Sequence, residues 1–177
     1  MVTKKRPSAA KSSSGKAAQA PVDTDPAKEL LWARPGFLVR RLHQIHVALF
    51  FEECKSQSIT PVQYGVLTAL SARPGLDQTS LAQEVGLDRS TTADVVRRLA
   101  ARGLIERRPH PTDRRARQVD LTVKGRDLVD SLQADMARAQ ERMLEPLQPA
   151  ERAMFMHWLT VLVEANNQYS RTVLRMV

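Results

Sequence analysis

The stretch that decides the fold is residues 79–125, TSLAQEVGLDRSTTADVVRRLAARGLIERRPHPTDRRARQVDLTVKG. Thr79 opens a short helical segment carrying Leu81, Ala82 and Val85, and Gly86 closes it. Asp88 caps a second segment running from about Arg89 to Arg102, closed by Gly103. An Asp side chain accepts the free amides of a helix start, and glycine takes the left-handed conformation that ends one. Two short helices joined by a tight, glycine-led turn form a helix-turn-helix. Leu104–Arg108 and Arg117–Leu121 then read as strands on either side of the loop 109–116, which makes a hairpin.

Outside this stretch the helical period dominates. Leu38, Leu42, Ile45 and Leu49 form an apolar stripe over residues 37–54. Thr60, Pro61 and Gln63 make a helix start of the capping-box type, leading into Tyr64, Val66, Leu67 and Leu70. Thr122 caps a long helix from about Val123 to Leu144, and a last helix runs from about Ala150 to Tyr169. The expected fold is mainly α with a small β-hairpin (α+β). Its parts are a basic tail (1–28), an N-terminal helix (29–58), the helix-turn-helix lobe with its hairpin (59–122) and C-terminal helices (123–177). The tail holds Lys4, Lys5, Arg6, Lys11, Lys16 and Lys28 among Ala, Ser and Pro, and its composition reads as disordered.

The helix at 89–102 has two faces. Thr92, Val95, Val96 and Leu99 follow the inward spacing, while Ser90, Thr91, Asp94, Arg97, Arg98 and Ala101 point the other way. Hydroxyls near the start of such a helix bond bases or phosphates, and Arg reads guanine or phosphate. An ordinary solvated face would look similar. The hairpin weighs against that reading. Between 89 and 117 there are nine Arg (89, 97, 98, 102, 107, 108, 114, 115, 117) against three acids, and no Lys. Arg forks onto phosphate and enters the narrow minor groove of A·T-rich duplexes. Arg108 and Arg117 suit phosphates, and Asp113 with Arg114 and Arg115 forms a tip that fits the minor groove. A net charge of +8 and a pI near 10.2 point to the same polyanionic partner, double-stranded DNA.

Apolar residues are 42% of the 177-residue chain and aromatics 5%, enough for a core but not for a membrane span of roughly 20 apolar residues. The N-terminus has no apolar signal region, and the lone Cys54 fits a reducing compartment, so the expected location is the cytoplasm. There is no glycine-rich phosphate loop, no nucleophile elbow and no pair of carboxylates on an apolar face; Glu52 and Glu53 read as solvated. The expectation is therefore a protein that is not an enzyme and needs no cofactor. A sequence-indifferent architectural DNA-binding protein is the rival reading.

The segments ITPVQYGVLTAL, TSLAQEVGLDRSTTADVVRRLAARGLIERR, DRRAR and LTVKG, spanning residues 59–125, resemble the MarR family of transcriptional regulators. The likeness extends over about residues 35–170. It implies winged helix-turn-helix lobes, an obligate homodimer joined by helices from both termini, and a recognition helix carrying Ser90, Thr91, Arg97 and Arg98. It also implies that Asp113 and Arg115 form the wing motif. The residues support pairing independently. Met154, Trp158, Leu159, Val161, Leu162 and Val163 give the last helix more apolar surface than one small lobe covers. Two-fold symmetry then sets recognition helices about 34 Å apart over a near-palindromic site, with repression as the expected outcome.

The first helix carries a second stripe, Val39, His43, His46 and Phe50, beside Arg40 and Arg41, with Trp32 and Arg34 just upstream. With Tyr64 these residues are suited to an aromatic acid: a ring stacks on Phe50 or Trp32, and an anionic group meets Arg or His. Histidines packed at a subunit interface are the competing reading. The segment FLVRRLHQIHVALFFEEC also resembles family members that control aromatic-acid breakdown, which implies a small effector, either the acid or its coenzyme A thioester. The arginine density favours the thioester. Two other sensing modes are open: a metal at His43 and His46 with Glu53 farther along the helix, and a reactive Cys54. The first is a His pair at i, i+3 with no Cys or HxxxH partner, and carboxylates at Glu52 and Glu53 raise the pKa of a nearby thiol.

Overall fold

The computed structural model describes residues 30–109 and 117–174. Contacts divide the chain into two compact units, Met1–Leu38 and Val39–Val177. In chain order the elements are α1 (Pro35–Glu53), α2 (Pro61–Ala72), β1 (Leu76–Asp77), α3 (Gln78–Val85), α4 (Arg89–Ala101), β2 (Ile105–Pro109), β3 (Arg117–Leu121), α5 (Val123–Leu144) and α6 (Pro149–Asn166). Short 3₁₀ turns follow α1 and α6, at Lys55–Gln57 and Asn167–Tyr169.

Most helix ends are written in the local chemistry. The Thr60 hydroxyl accepts the Gln63 amide while the Gln63 side chain accepts the Thr60 amide, a reciprocal box that starts α2. Asp88 starts α4 and Thr122 starts α5, the latter by accepting the Gly125 amide at 3.1 Å. Such caps contribute about 1 kcal/mol each. Gly86 and Gly103 stand at φ of 67° and 68°, where a Cβ would be strained. At Gly103 the Leu104 amide reaches back to the Leu99 carbonyl and the Gly103 amide to Ala100, the paired bonds that close a helix over a left-handed residue.

Two expectations are corrected here. Helix α3 opens one residue earlier than expected, at Gln78 rather than Thr79, and its cap is Asp77, whose carboxylate accepts the Thr79 and Ser80 amides at 2.7 and 3.0 Å. The hairpin also has a third strand. β1 pairs antiparallel with β3, Leu76 opposite Val119, giving the sheet order β1-β3-β2. Two residues are too few to show strand periodicity.

The core gathers Phe50 from α1, Val66, Leu67 and Leu70 from α2, Leu81 from α3, and Val95, Val96 and Leu99 from α4. Val119 and Leu121 from β3 and Leu128, Leu132 and Met136 from α5 complete it. Of the two stripes on α1, the one ending in Phe50 reaches this core; Leu38 and Ile45 of the other remain exposed. Helix α6 buries none of its residues, and Met154, Trp158 and Leu162 are 60%, 56% and 57% exposed. No helix among the described residues is long and apolar enough to cross a membrane.

Among the glycines, the closest backbone approach is at Gly125. A Cβ there would overlap the Leu104 carbonyl oxygen, a backbone atom that cannot swing aside. Gly125→Ala is expected to cost about 1–3 kcal/mol of stability. Urea unfolding checks this, and an unchanged midpoint refutes the account of the junction.

Candidate nucleic-acid interface and effector groove

Helix α4 rests on the buried residues Thr92, Val95, Val96 and Leu99, as its spacing predicts. Thr92 is only 1% exposed, and its hydroxyl is satisfied by donating to the Asp88 carbonyl at 2.9 Å. The opposite face exposes Arg89, Ser90, Thr91, Arg97 and Arg98. The Ser90 and Thr91 hydroxyls donate to Asp88 at 2.6 and 2.7 Å, which aims their lone pairs outward and holds the Asp88 carboxyl well below the usual carboxylate range. Asp94 takes Arg97 on one carboxylate oxygen and Arg98, at 2.7 Å, on the other.

The sheet that follows α4 exposes Arg107, Arg108 and Arg117, with Arg108 and Arg117 toward the end of the β2–β3 ladder away from α4. Arg108 is paired with Glu106 across one residue, a contact invisible to an argument that assigned Arg108 to phosphate alone. Arg102 leaves the basic cluster altogether. Its guanidinium donates to the carbonyls of Ser58 and Gln57 at 2.9 and 3.3 Å, pinning the turn before α2, where Ser58 has φ of 37°. The wing-tip residues Asp113, Arg114 and Arg115 lie outside the described residues, as does the basic tail.

A second feature is an open groove of about 530 Å³ between α1, α2, α3 and α5. Phe50, Tyr64, Val85 and Met136 give it an apolar wall; His46, Thr68 and Gln140 add polar groups. The Phe50 and Tyr64 rings lie 6.1 Å apart and tilted. At its edge Glu84 is neutralised by Arg73 at 2.8 Å. Burial, aided by nearby His43, pushes the His46 pKa down, so the neutral imidazole prevails at neutral pH. Of the residues predicted for an effector, His46, Phe50 and Tyr64 line this groove. Arg40, Arg41 and His43 lie on the exposed face of α1 and are not among its described lining, so the expected ring of guanidiniums is not assembled there. Trp32 and Arg34 belong to the other unit, where Trp32 packs at a tilt on Phe37.

Sequence reasoning missed an ionic clamp behind the groove. Glu53 is not solvated as expected; it bonds Arg138 at 3.0 Å and Arg142 at 2.6 Å on α5, while Glu52 adds a 3.2 Å contact to Arg142. The partners are 85 and 89 residues away, beyond any local pattern. These bonds hold the Glu53 pKa below the usual value. Cys54, next in sequence, is buried with its sulfur 4.0 Å from that of Met136. Burial, then the charges of Asp135 and Glu53, push its pKa up, so the thiolate is disfavoured. Among the described residues no group of three or more His, Cys, Asp or Glu is placed to hold a metal.

A basic, polar-faced helix on a helix-turn-helix, beside an arginine-bearing antiparallel sheet, defines a winged-helix regulator of transcription. Residues 59–116 match the MarR family. The chain is 29% identical over 147 residues, 83% of its length and 92% of the relative's, to the HTH-type transcriptional repressor NicR of Pseudomonas putida. Its fold resembles that of the PcaV transcriptional regulator of Streptomyces coelicolor, solved with its natural ligand: TM-score 0.71, 39% identity, 83% of this chain and 99% of that one. Bordetella bronchiseptica BpsR, whose DNA binding is regulated by 6-hydroxynicotinic acid, matches with TM-score 0.71 and 31% identity over 73% of this chain and 93% of that one. The chain belongs to the MarR family of transcriptional regulators, and these relatives are regulators rather than enzymes.

Two outcomes follow from the clamp and the thiol. Glu53 has a lower pKa folded than unfolded, so its contribution is full above the ordinary glutamate value and is lost as pH falls through the lowered one. Glu53→Gln is expected to lower the urea midpoint near neutrality and to flatten its fall toward about pH 3; parallel pH profiles for both proteins would remove Glu53 from the account. Native Cys54 is expected to alkylate with iodoacetamide at least about tenfold more slowly than in denaturant. Equal rates would mean that the thiol is open to solvent.

Proposed function

We propose that the chain is a homodimeric repressor whose two α4 helices enter successive major grooves of a near-palindromic operator, and that a small aromatic acid in the groove releases it. In this reading residues 59–122 form the DNA-binding lobe, and residues 29–58 and 123–177 form the dimerisation region around it. The observation that carries it is the division of α4, with Thr92, Val95, Val96 and Leu99 buried and Ser90, Thr91, Arg97 and Arg98 exposed; the exposed Arg107, Arg108 and Arg117 of the sheet add to it. Guanidiniums on a short helix are donors that read base edges and phosphates, and the Ser90 and Thr91 hydroxyls, already donating to Asp88, offer acceptors to base-edge amino groups. Asp113, Arg114 and Arg115 are assigned to the minor groove. Pairing is favoured by α6, whose Met154, Trp158 and Leu162 remain exposed in the single chain; a second copy covers such a surface at no cost in specificity.

For the effector, the groove's chemistry favours a free acid over a thioester. Its lining offers a ring-stacking wall and one histidine, without the arginines a nucleotide tail would need. The relative regulated by 6-hydroxynicotinic acid supports the same class. An anion seated on His46 binds best when the imidazole is charged. Because burial lowers the His46 pKa, binding takes up a proton near neutrality, and affinity rises as pH falls toward that lowered value.

Four measurements test the reading. A footprint should protect one short two-fold site, and light scattering should return a dimer. Arg115→Ala in each subunit should reduce the salt slope of log K by about 2, at roughly 0.9 per phosphate-equivalent lost; an unchanged slope removes the wing assignment. Titration calorimetry with 6-hydroxynicotinic acid and 4-hydroxybenzoate should show heats that vary with buffer ionisation enthalpy, and His46→Ala should abolish that variation. Silence from both acids, with heat from a thioester, would reverse the choice of effector.

A further inference from the structure

The recognition face contains an acid, and its placement is specific. Asp94 lies one turn before Arg97 and Arg98, and its two carboxylate oxygens engage one guanidinium each. Both arginine side chains remain well exposed, at 70% and 64%, with Asp94 itself at 37%. Pairs this exposed contribute little to folding. Their consequence is orientation and charge.

A free arginine on a helix surface sweeps many rotamers and attaches to whichever phosphate it meets. A guanidinium has five N–H donors in one plane. When one edge is taken by a carboxylate, the remaining donors project in a fixed direction, able to meet a pair of acceptors on a base edge. The carboxylate also repels phosphate. A phosphate that closes on Arg97 or Arg98 meets Asp94 between them, whereas an uncharged base edge does not suffer that repulsion. From this geometry, and resting on the proposed DNA-binding role, we infer that Asp94 is a specificity-determining residue: it holds Arg97 and Arg98 for base edges and keeps them from phosphate. It contributes discrimination between sequences at the expense of raw affinity.

The test begins with the full-length wild-type protein and a pool of random duplexes, from which the preferred site is selected. Affinities for that site and for a random duplex are then measured over a salt series for wild type, Asp94→Asn, Asp94→Ala and Asp94→Glu. With thermal midpoints unchanged, Asn and Ala should bind the random duplex about threefold or more tightly, with a steeper salt slope. The ratio of specific to random affinity should fall by about tenfold, and Glu should restore part of it. The inference is overturned if the ratio is unchanged in both variants, since Asp94 is then only a surface charge, or if random binding weakens. If wild type selects no sequence at all, the failure lies in the proposed DNA-binding role itself.

Discussion

The junction between the end of α4 and the start of α5 constrains the rest of the molecule. The Thr122 hydroxyl donates to the Gly103 carbonyl at 2.7 Å, the Thr122 amide to Leu104 at 3.1 Å, and the Lys124 ammonium to Arg102 at 3.0 Å. These carbonyls belong to the end of α4 and the residues just beyond it, groups that would otherwise lack helical partners. One short segment thus satisfies the end of α4, follows the last strand and starts the long helix. Gly125 lets the backbones close to contact, and Arg126 returns to the Leu121 carbonyl at 2.9 Å. A shift of α5 therefore moves α4 and the sheet with it, because close-packed backbone does not deform by degrees.

That economy also explains what was legible in the sequence. Local chemistry is short-ranged, so the Thr60 box, the Asp88 and Thr122 caps, the left-handed glycines and the two faces of α4 could all be read from spacing. Beside the Glu53 clamp, whose partners are far away in sequence, three more features could not. The strand at Leu76–Asp77 exists only because β3 offers an edge, and its two residues carry no pattern of their own. Asp77 caps α3, and starts it before Thr79, because that strand delivers its carboxylate to the α3 amides. Arg102, one of nine arginines in an apparently uniform cluster, turned inward to the carbonyls of Gln57 and Ser58. Composition counts charges without showing where they point.

The effector residues divide for a related reason. The stripe His43, His46, Phe50 is correct as a helical face, but only its C-terminal end meets α2 and α5. Phe50 is fully buried, His46 half-buried and His43 exposed, a gradient along one helix as it leaves the core. The arginines that suggested a phosphate-bearing ligand lie farther out still. The groove's described lining is consequently poorer in cations than the sequence around it, and under the proposed reading an anion there depends on a histidine whose charge must be drawn from solution.

Groove and recognition face are also close in structure. Val85 and Glu84 line the groove from the last turn of α3, and Gly86 to Asp88 lead directly from there into α4. On the other side Met136 lines the groove from α5, two residues before Arg138 of the Glu53 clamp. Under the proposed reading, a ring wedged between Tyr64, Val85 and Met136 bears on both walls at once. One wall is the helix that precedes α4, and the other is the helix whose start is bonded to α4's end. A ligand shifts an equilibrium only by the difference in its contacts with the two states. Here that difference need be no more than the separation of α3 from α5, since both ends of the recognition helix are tied to the elements that move.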